Sequence, residues 1–269
     1  MNERTPRLAG IQPLATRCIP QRRPHPWRVA LSARPFWLAT IHARGLTRRR
    51  VPLAPTAGHA RLQVVEPRWW EAPMLRSRVT ELHYITPVKN LLSIVTHGIL
   101  SHSRAARVPH VSVAADPVQD RRAQRRVPRG RPLHEYANLY FDARNAMMYM
   151  RRDSTVPLTV VRLHSAVLDL PSSVITDGNA ASSCTIFLPS PDGLARLDEE
   201  RIYAESWDDP DPWRKFERKR ARCAELLVPD RVEPRFILGC YVDHQNRRQE
   251  CLMQSPGLPV EVNAHVFFK

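Results

Sequence analysis

Nine glycines in 269 residues set the tightest limit on what this chain can fold into. Folds that cradle phosphate in glycine-rich loops need several glycines at fixed spacing, because only a missing Cβ lets backbone N–H groups approach the ligand closely. The sequence holds no G-x-G-x-x-G, P-loop, G-x-S-x-G or H-E-x-x-H pattern. An anionic ligand must therefore be gripped by side chains. Arginine is the obvious candidate, with 37 Arg against 4 Lys, and its planar fork suits phosphate and base recognition. A GC-rich coding bias accounts for the same ratio and stays open as an alternative.

The formal net charge of +15 is unevenly spread. Residues 1–75 carry 13 Arg, no Lys and three acids (Glu3, Glu66, Glu71), a net of +10, together with ten of the 25 prolines. Runs such as Arg22-Arg23-Pro24-His25-Pro26 and Arg48-Arg49-Arg50 break any regular element. This segment reads as a disordered, basic, Arg/Pro-rich extension, and residues 76–269, net +5, as the folded domain. The extension fits a nucleic-acid tether, a passive tail or the product of a misassigned start codon. No continuous apolar region follows the first basic residues, so a secretory signal is not expected; an Arg-rich, acid-poor start also resembles an organellar transit peptide. No window of about 18 apolar residues exists, which argues against a transmembrane helix. Five scattered cysteines (Cys18, Cys184, Cys223, Cys240, Cys251) form no C-x-x-C pair. They read as reduced thiols of a cytoplasmic protein, with no metal site.

Within 76–269, Glu81 to Thr86 reads as a strand bounded by Pro87, followed by a helix over Asn90 to Ile99 that Gly98 stops. Asp116 to Arg126 is too polar for core and reads as a surface helix or loop, ending in a turn at Val127 to Gly130. Strands are predicted at Tyr136 to Phe141, Thr155 to Leu163, Ser173 to Thr176, Ala224 to Val228, Phe236 to Val242 and Val260 to Phe268, with a turn at Asp177-Gly178-Asn179 and a helical stretch around Leu194 to Ala204. Residues 214–222 stand out only as highly charged. Short strands mixed with a few helices, without regular alternation, predict an α+β fold.

One carboxylate draws attention because its surroundings are apolar. Glu225 sits in Ala224-Glu225-Leu226-Leu227-Val228, where its two neighbours point to the opposite face of a strand. Composition alone favours a solvent-facing edge residue, or one paired with Arg220 or Arg222, over a catalytic acid. Likewise Arg121 to Arg126 reads first as a solvated face, His83 as an ordinary strand histidine, and Tyr136, Tyr140, Phe141 and Tyr149 as core.

The combination of segments changes that weighing. Ile85-Thr86 to Asn90-Leu91, Gln119-Asp120-Arg121-Arg122 with Val127-Pro128-x-Gly130, Leu133-His134-Glu135-Tyr136, Tyr140-Phe141-x-x-Arg144-x-x-Met147-x-Tyr149, Thr176-Asp177-Gly178-x-Ala180-Ala181 and Ala224-Glu225-x-Leu227-Val228 occur in this order over residues 78–243. They resemble the DarT family of DNA ADP-ribosyltransferases. The resemblance implies an ADP-ribosyltransferase fold, with a split β-sheet, an NAD-binding cleft and flanking helices. It implies transfer of ADP-ribose from NAD, as co-substrate and without metal, to a base in single-stranded DNA. It further implies a toxin, a glycosyltransferase of the pentosyl class, countered by an antitoxin ADP-ribosyl hydrolase. By the same resemblance Glu225 and Arg122 match the catalytic residues, and Thr86 and Asn90 match the NAD contacts. His83, Tyr84, Arg122, Tyr136 and Tyr140 join them around the cofactor, and Arg125, Arg126 and Asn179 are the DNA-side residues.

Two positions depart from the family pattern. Tyr84 and Pro87 stand where the family has histidines flanking Ile-Thr, so His83 can substitute only if the strand is bulged; otherwise the Tyr84 hydroxyl takes the role. Asn179 stands where a His often follows Asp-Gly. Thymine and guanine are both open as the acceptor base. Transfer to protein or RNA, and a non-catalytic basic nucleic-acid binder, are the alternatives.

Overall fold

The structure is a computed structural model that describes residues 73–268. The basic extension up to residue 72, and Cys18 with it, lie outside the described residues. Pro73 forms a bridge to Asp198, and Met74 is buried.

Ten strands occur among the described residues: β1 (Glu81–Pro87), β2 (Ile99–Leu100), β3 (Tyr136–Tyr140), β4 (Leu158–His164), β5 (Val174–Thr176), β6 (Phe187–Pro189), β7 (Glu225–Pro229), β8 (Arg231–Val232), β9 (Ile237–Val242) and β10 (Val260–Val262). The helices are α1 (Leu91–His97), α2 (His102–Ala105), α3 (Asp116–Ala123), α4 (Ala146–Tyr149), α5 (Glu199–Ile202), α6 (Pro212–Ala221) and α7 (Gln245–Gln254). Eight strands make one sheet in the order β10-β9-β4-β1-β3-β7-β5-β6, while β2 and β8 form a separate pair. The fold is α+β, as the irregular alternation predicts.

The sheet is split in the middle. β1 pairs with β4 at seven consecutive positions but meets β3 at a single one, His83 opposite Tyr140. From Tyr84 onward β1 leaves its neighbour, so the two halves of the sheet separate there. Leu82, Leu139, Val161, Leu163, Ile175 and Leu226 anchor the main core, and Ile85, Tyr140, Met148, Val160 and Phe267 form a second cluster.

Local chemistry explains where elements differ from expectation. β4 starts at Leu158 rather than Thr155, directly after Pro157, which lacks an N–H for the ladder. The stretch around 194–204 is broken: a 3-10 turn ends at Arg196, and Asp198 starts α5 by accepting from Arg201 N at 3.0 Å. The charged 214–222 run is helix α6, with Pro212 in its first turn and Asp211 accepting from Trp213 N at 2.9 Å. Only Val260–Val262 of the last predicted strand pairs in the sheet, and Ala264–Val266 is a 3-10 turn.

Gly98 ends α1 with φ +82°, and a Cβ there would sit 1.9 Å from Val232 O on β8. Both the left-handed backbone and the close approach demand glycine. Gly98→Ala is expected to destabilise the fold by at least about 1–3 kcal/mol, seen as a lowered Tm; an unchanged melt would show that the α1–β2 corner relaxes freely.

Candidate active site

Cross-strand register brings the chemistry into one line. Arg162 faces His83, His83 faces Tyr140, Tyr140 faces Glu225, and Glu225 faces Thr176. Residues directly opposite in a ladder share a face of the sheet, so these five side chains form a row that crosses the split. Glu225 is the first residue of β7, flanked by β3 and β5, and is fully buried at 0% exposure. The edge position favoured by composition is thus corrected: the carboxylate lies inside the sheet. Arg220 pairs with Asp177 and Glu217, and Arg222 with Asp142, so neither is its partner.

The partner is Arg122. Its Nη1 donates to Glu225 Oε2 at 3.0 Å and Oε1 at 3.3 Å. Arg122 is the one buried residue of α3, turned inward from a helix whose other residues face outward or lie half-buried, so the reading of this run as a solvated face fails at this position. Its Nε and Nη2 make no hydrogen bond among the described residues, which leaves one edge of the guanidinium for a substrate anion or carbonyl.

The backbone around Glu225 is equally specific. Ala180 N donates to Oε1 at 3.0 Å, and Glu225 N donates to Thr176 Oγ1 at 3.1 Å. The Thr176 hydroxyl donates in turn to Gly178 O at 2.7 Å. Asn179 folds the following turn, its Oδ1 accepting from Ala181 N at 2.8 Å. Thr176 and Ala180 were visible in the sequence as a block but not as the groups that fix the carboxylate. Pairing across strands, which no linear spacing reveals, is the missing signal. Arg125 donates to Ser182 O on the same loop and stacks over Phe187 at 5.5 Å, while the exposed Arg126 donates to Gly130 O at 3.1 Å.

A second chain of contacts runs to the start of α3. Thr86 is buried, and its Oγ1 accepts from Asn90 Nδ2 at 3.1 Å. Asn90 also donates to Val111 O at 2.8 Å and accepts from Val111 N at 2.9 Å, pinning the loop that leads to α3. Tyr140 is buried and beside Glu225, and both push its hydroxyl well above the usual tyrosine range, burial more strongly. Burial likewise raises the Tyr84 hydroxyl. Tyr136 packs with Val127, Leu133, Ala180 and Leu227, its hydroxyl accepting from Arg131 N at 3.2 Å.

β1 runs in unbroken register with β4, without a bulge. His83 therefore shares the face of Glu225, and Tyr84 lies on the other face against the main core. Both ring nitrogens of His83 are engaged: Nδ1 meets Phe141 O at 3.2 Å and Nε2 meets Glu81 Oε1 at 3.1 Å. Tyr241 Oη donates to Glu81 Oε1 at 2.9 Å, and Arg162 Nε to Oε2 at 2.8 Å. Burial works to raise the Glu81 pKa, but these partners outweigh it and bring the carboxyl down to about 2. A carboxyl depressed in the folded state stabilises the fold above its unfolded pKa, and that stability is lost as pH falls from 4.5 toward about 2. On the order of 2 kcal/mol should disappear across that window, given partial solvent screening. Denaturant titrations at stepped pH check this, and Glu81→Gln should flatten the dependence.

Among the described residues no cluster of three His, Cys, Asp or Glu could hold a metal ion, and no helix is long and apolar enough to cross a membrane. A family model described as "ssDNA thymidine ADP-ribosyltransferase, DarT" matches residues 83–268, the segment that carries the whole row. The chain belongs to the DarT family. Among DarT relatives, a DNA ADP-ribosyl transferase–DNA ADP-ribosyl glycohydrolase fusion protein of Thermosipho africanus is 36% identical over 180 residues, which is 62% of this chain and 44% of the fusion. The chain thus matches less than half the length of that relative. The DarT of Thermus sp. 2.9 in complex with ADP-ribosylated ssDNA matches with TM-score 0.61 and 27% identity, covering 71% of this chain and 97% of that one. The same protein with carba-NAD+ gives TM-score 0.58 and 25% identity, over 71% of this chain and 98% of that one.

Proposed function

We propose that this DarT-family chain transfers ADP-ribose from NAD+ to a base of single-stranded DNA, releasing nicotinamide, with thymidine, the base named in the family description, as acceptor. The observation that carries the reading is the buried Arg122–Glu225 pair at the split of the sheet. It is supported by family membership and by the Thermus structures with ADP-ribosylated ssDNA and carba-NAD+.

NAD+, as substrate, supplies a ribose carbon that becomes cationic as neutral nicotinamide departs. A fixed carboxylate is the side chain that stabilises such charge, and Glu225 is preorganised by Ala180 N, Thr176 and Arg122, so no reorganisation is needed when charge develops. The free edge of Arg122 binds the diphosphate, or a base carbonyl and through it the position of the acceptor nitrogen; as the bond from carbon to nicotinamide breaks and the bond from carbon to that nitrogen forms, the nitrogen releases its proton to solvent. Thr86 and Asn90 hold the nicotinamide-ribose end, while Tyr136 and Tyr140, with His83 bracing the row from β1, wall the cleft; Tyr84, packed against the main core on the other face of β1, backs the strand rather than touching the donor. Arg125 and Asn179 border the loop that presents Ala180, Arg126 lies on the turn at Gly130, and all three face the DNA side. An unpaired base is required, since a base inside a duplex hides its reacting atom.

The activity belongs to a toxin whose partner is an ADP-ribosyl hydrolase, a pairing supported by the fused glycohydrolase of the Thermosipho relative. The free cysteines Cys184, Cys223, Cys240 and Cys251, and the need for NAD+, support the cytoplasm as its location. Incubation with NAD+ and a thymidine-containing single-stranded oligonucleotide should add the mass of one ADP-ribose to the DNA. Label on protein instead of DNA, or an adduct on guanine alone, would overturn the acceptor.

A further inference from the structure

A polar cavity lies away from the Glu225 row. It has a volume of about 650 Å³ and is bordered by Arg104, Arg107, Arg131 and Arg231, with Glu135 and Asp230 as its carboxylates. Arg104 is paired with Asp230, and Arg231 reaches Glu233 only at 4.0 Å. Among the described residues Arg107 and Arg131 have no ion pair, and both are exposed. Four guanidinium groups and two carboxylates border one groove, an excess of positive charge, and Arg107 and Arg131 lie beyond ion-pair distance of any carboxylate among the described residues. A bound polyanion is what balances that excess.

Position decides which polyanion. His97, at the end of α1, lines the groove, whereas Asn90 precedes the first residue of α1. A seven-residue helix puts these ends about 10 Å apart, so the groove stands clear of the Thr86–Asn90 contacts proposed for the donor. It is braced to the catalytic helix instead. His102 on α2 stacks on His134 at 4.1 Å between ring centres, and His134 Nε2 meets Gln119 Oε1 at 3.1 Å, one turn before Arg122 on α3. The flanking Ser101, Ser103 and Glu135 are groove residues. Among the described residues no Phe, Tyr or Trp lines it, so these residues offer phosphate contacts without a stacking platform for bases.

We propose that this groove binds the sugar–phosphate backbone of the substrate strand beyond the modified base, with Arg107 and Arg131 as its phosphate contacts. The inference rests on single-stranded DNA being the substrate. It makes the groove a sequence-independent affinity element that holds strand emerging from the site.

The test uses the full chain and Arg107→Glu/Arg131→Glu, whose side chains hold no partner among the described residues, with a melt as the fold control. Fluorescence anisotropy follows labelled single-stranded oligonucleotides of about 16 and about 4 nucleotides, the range of strand-binding site sizes, across a salt series. The longer strand should bind the variant more weakly, with the log–log salt slope reduced by about 1.4, or about 0.7 for each phosphate that is no longer neutralised. The KM for NAD+ should stay at the wild-type value. An unchanged slope on the longer strand overturns the proposal, and a raised KM for NAD+ with unchanged strand binding reassigns the groove to the donor's diphosphate. Adduct mass is read in parallel: a chain that binds strand through the groove yet forms no adduct would lose the transferase reading and keep the groove.

Discussion

Glu225→Gln should reduce ADP-ribose transfer by about a hundred- to a thousand-fold in kcat, the range seen when one preorganised electrostatic group is removed from an active site. The substitution keeps the shape of the side chain and an oxygen for Ala180 N, so the bond at 3.0 Å can persist. It removes the negative charge. If Glu225 acts on charge that develops only as nicotinamide departs, the loss falls on kcat and leaves KM for NAD+ nearly unchanged. A variant with normal kcat and raised KM would instead make Glu225 a ground-state contact of the donor. Single-turnover measurements at saturating NAD+, reading adduct mass on the oligonucleotide, separate the two. An adduct formed at the wild-type rate would remove Glu225 from the chemistry altogether.

How much of this was legible in the sequence varies with the range of the interaction. β1, β3, β7 and the Gly98 stop were visible because alternation, Pro and Gly act locally. Helix α6 was not, since the run Arg214 to Arg222 is dominated by charge, the helix's two aromatics Trp213 and Phe216 are exposed, and of its residues only Ala221 is buried. Helix α7, over Gln245–Gln254, buries only Cys251 and was hidden for the same reason. Arg122 and Glu225 are 103 residues apart, and composition placed both at the surface. Family resemblance singled them out, and only the sheet register explains why a carboxylate fits there: Tyr140 and Thr176 flank it across the ladders, and β3 and β5 cover its strand on both sides. The same register places His83 in the row without any bulge in β1.

The buried pair also sets up a test in which stability and activity part company. Glu225 has a side-chain exposure of 0% and Arg122 of 7%, so neither charge is well solvated. Removing one partner strands the other, at a cost of about 3–5 kcal/mol. Arg122→Met and Glu225→Leu should each show that loss in denaturant unfolding. In the double variant no charge is left stranded, and apolar side chains of similar reach fill the space. It should regain most of the stability, giving a strongly non-additive cycle. Activity must follow the opposite rule: each single variant and the double are all deficient, because the missing groups act on the substrate. Additive stability losses would mean that solvent reaches the pair in solution. Recovery of turnover along with stability would mean that Arg122 and Glu225 hold the sheet together across its split and that the transfer chemistry lies elsewhere.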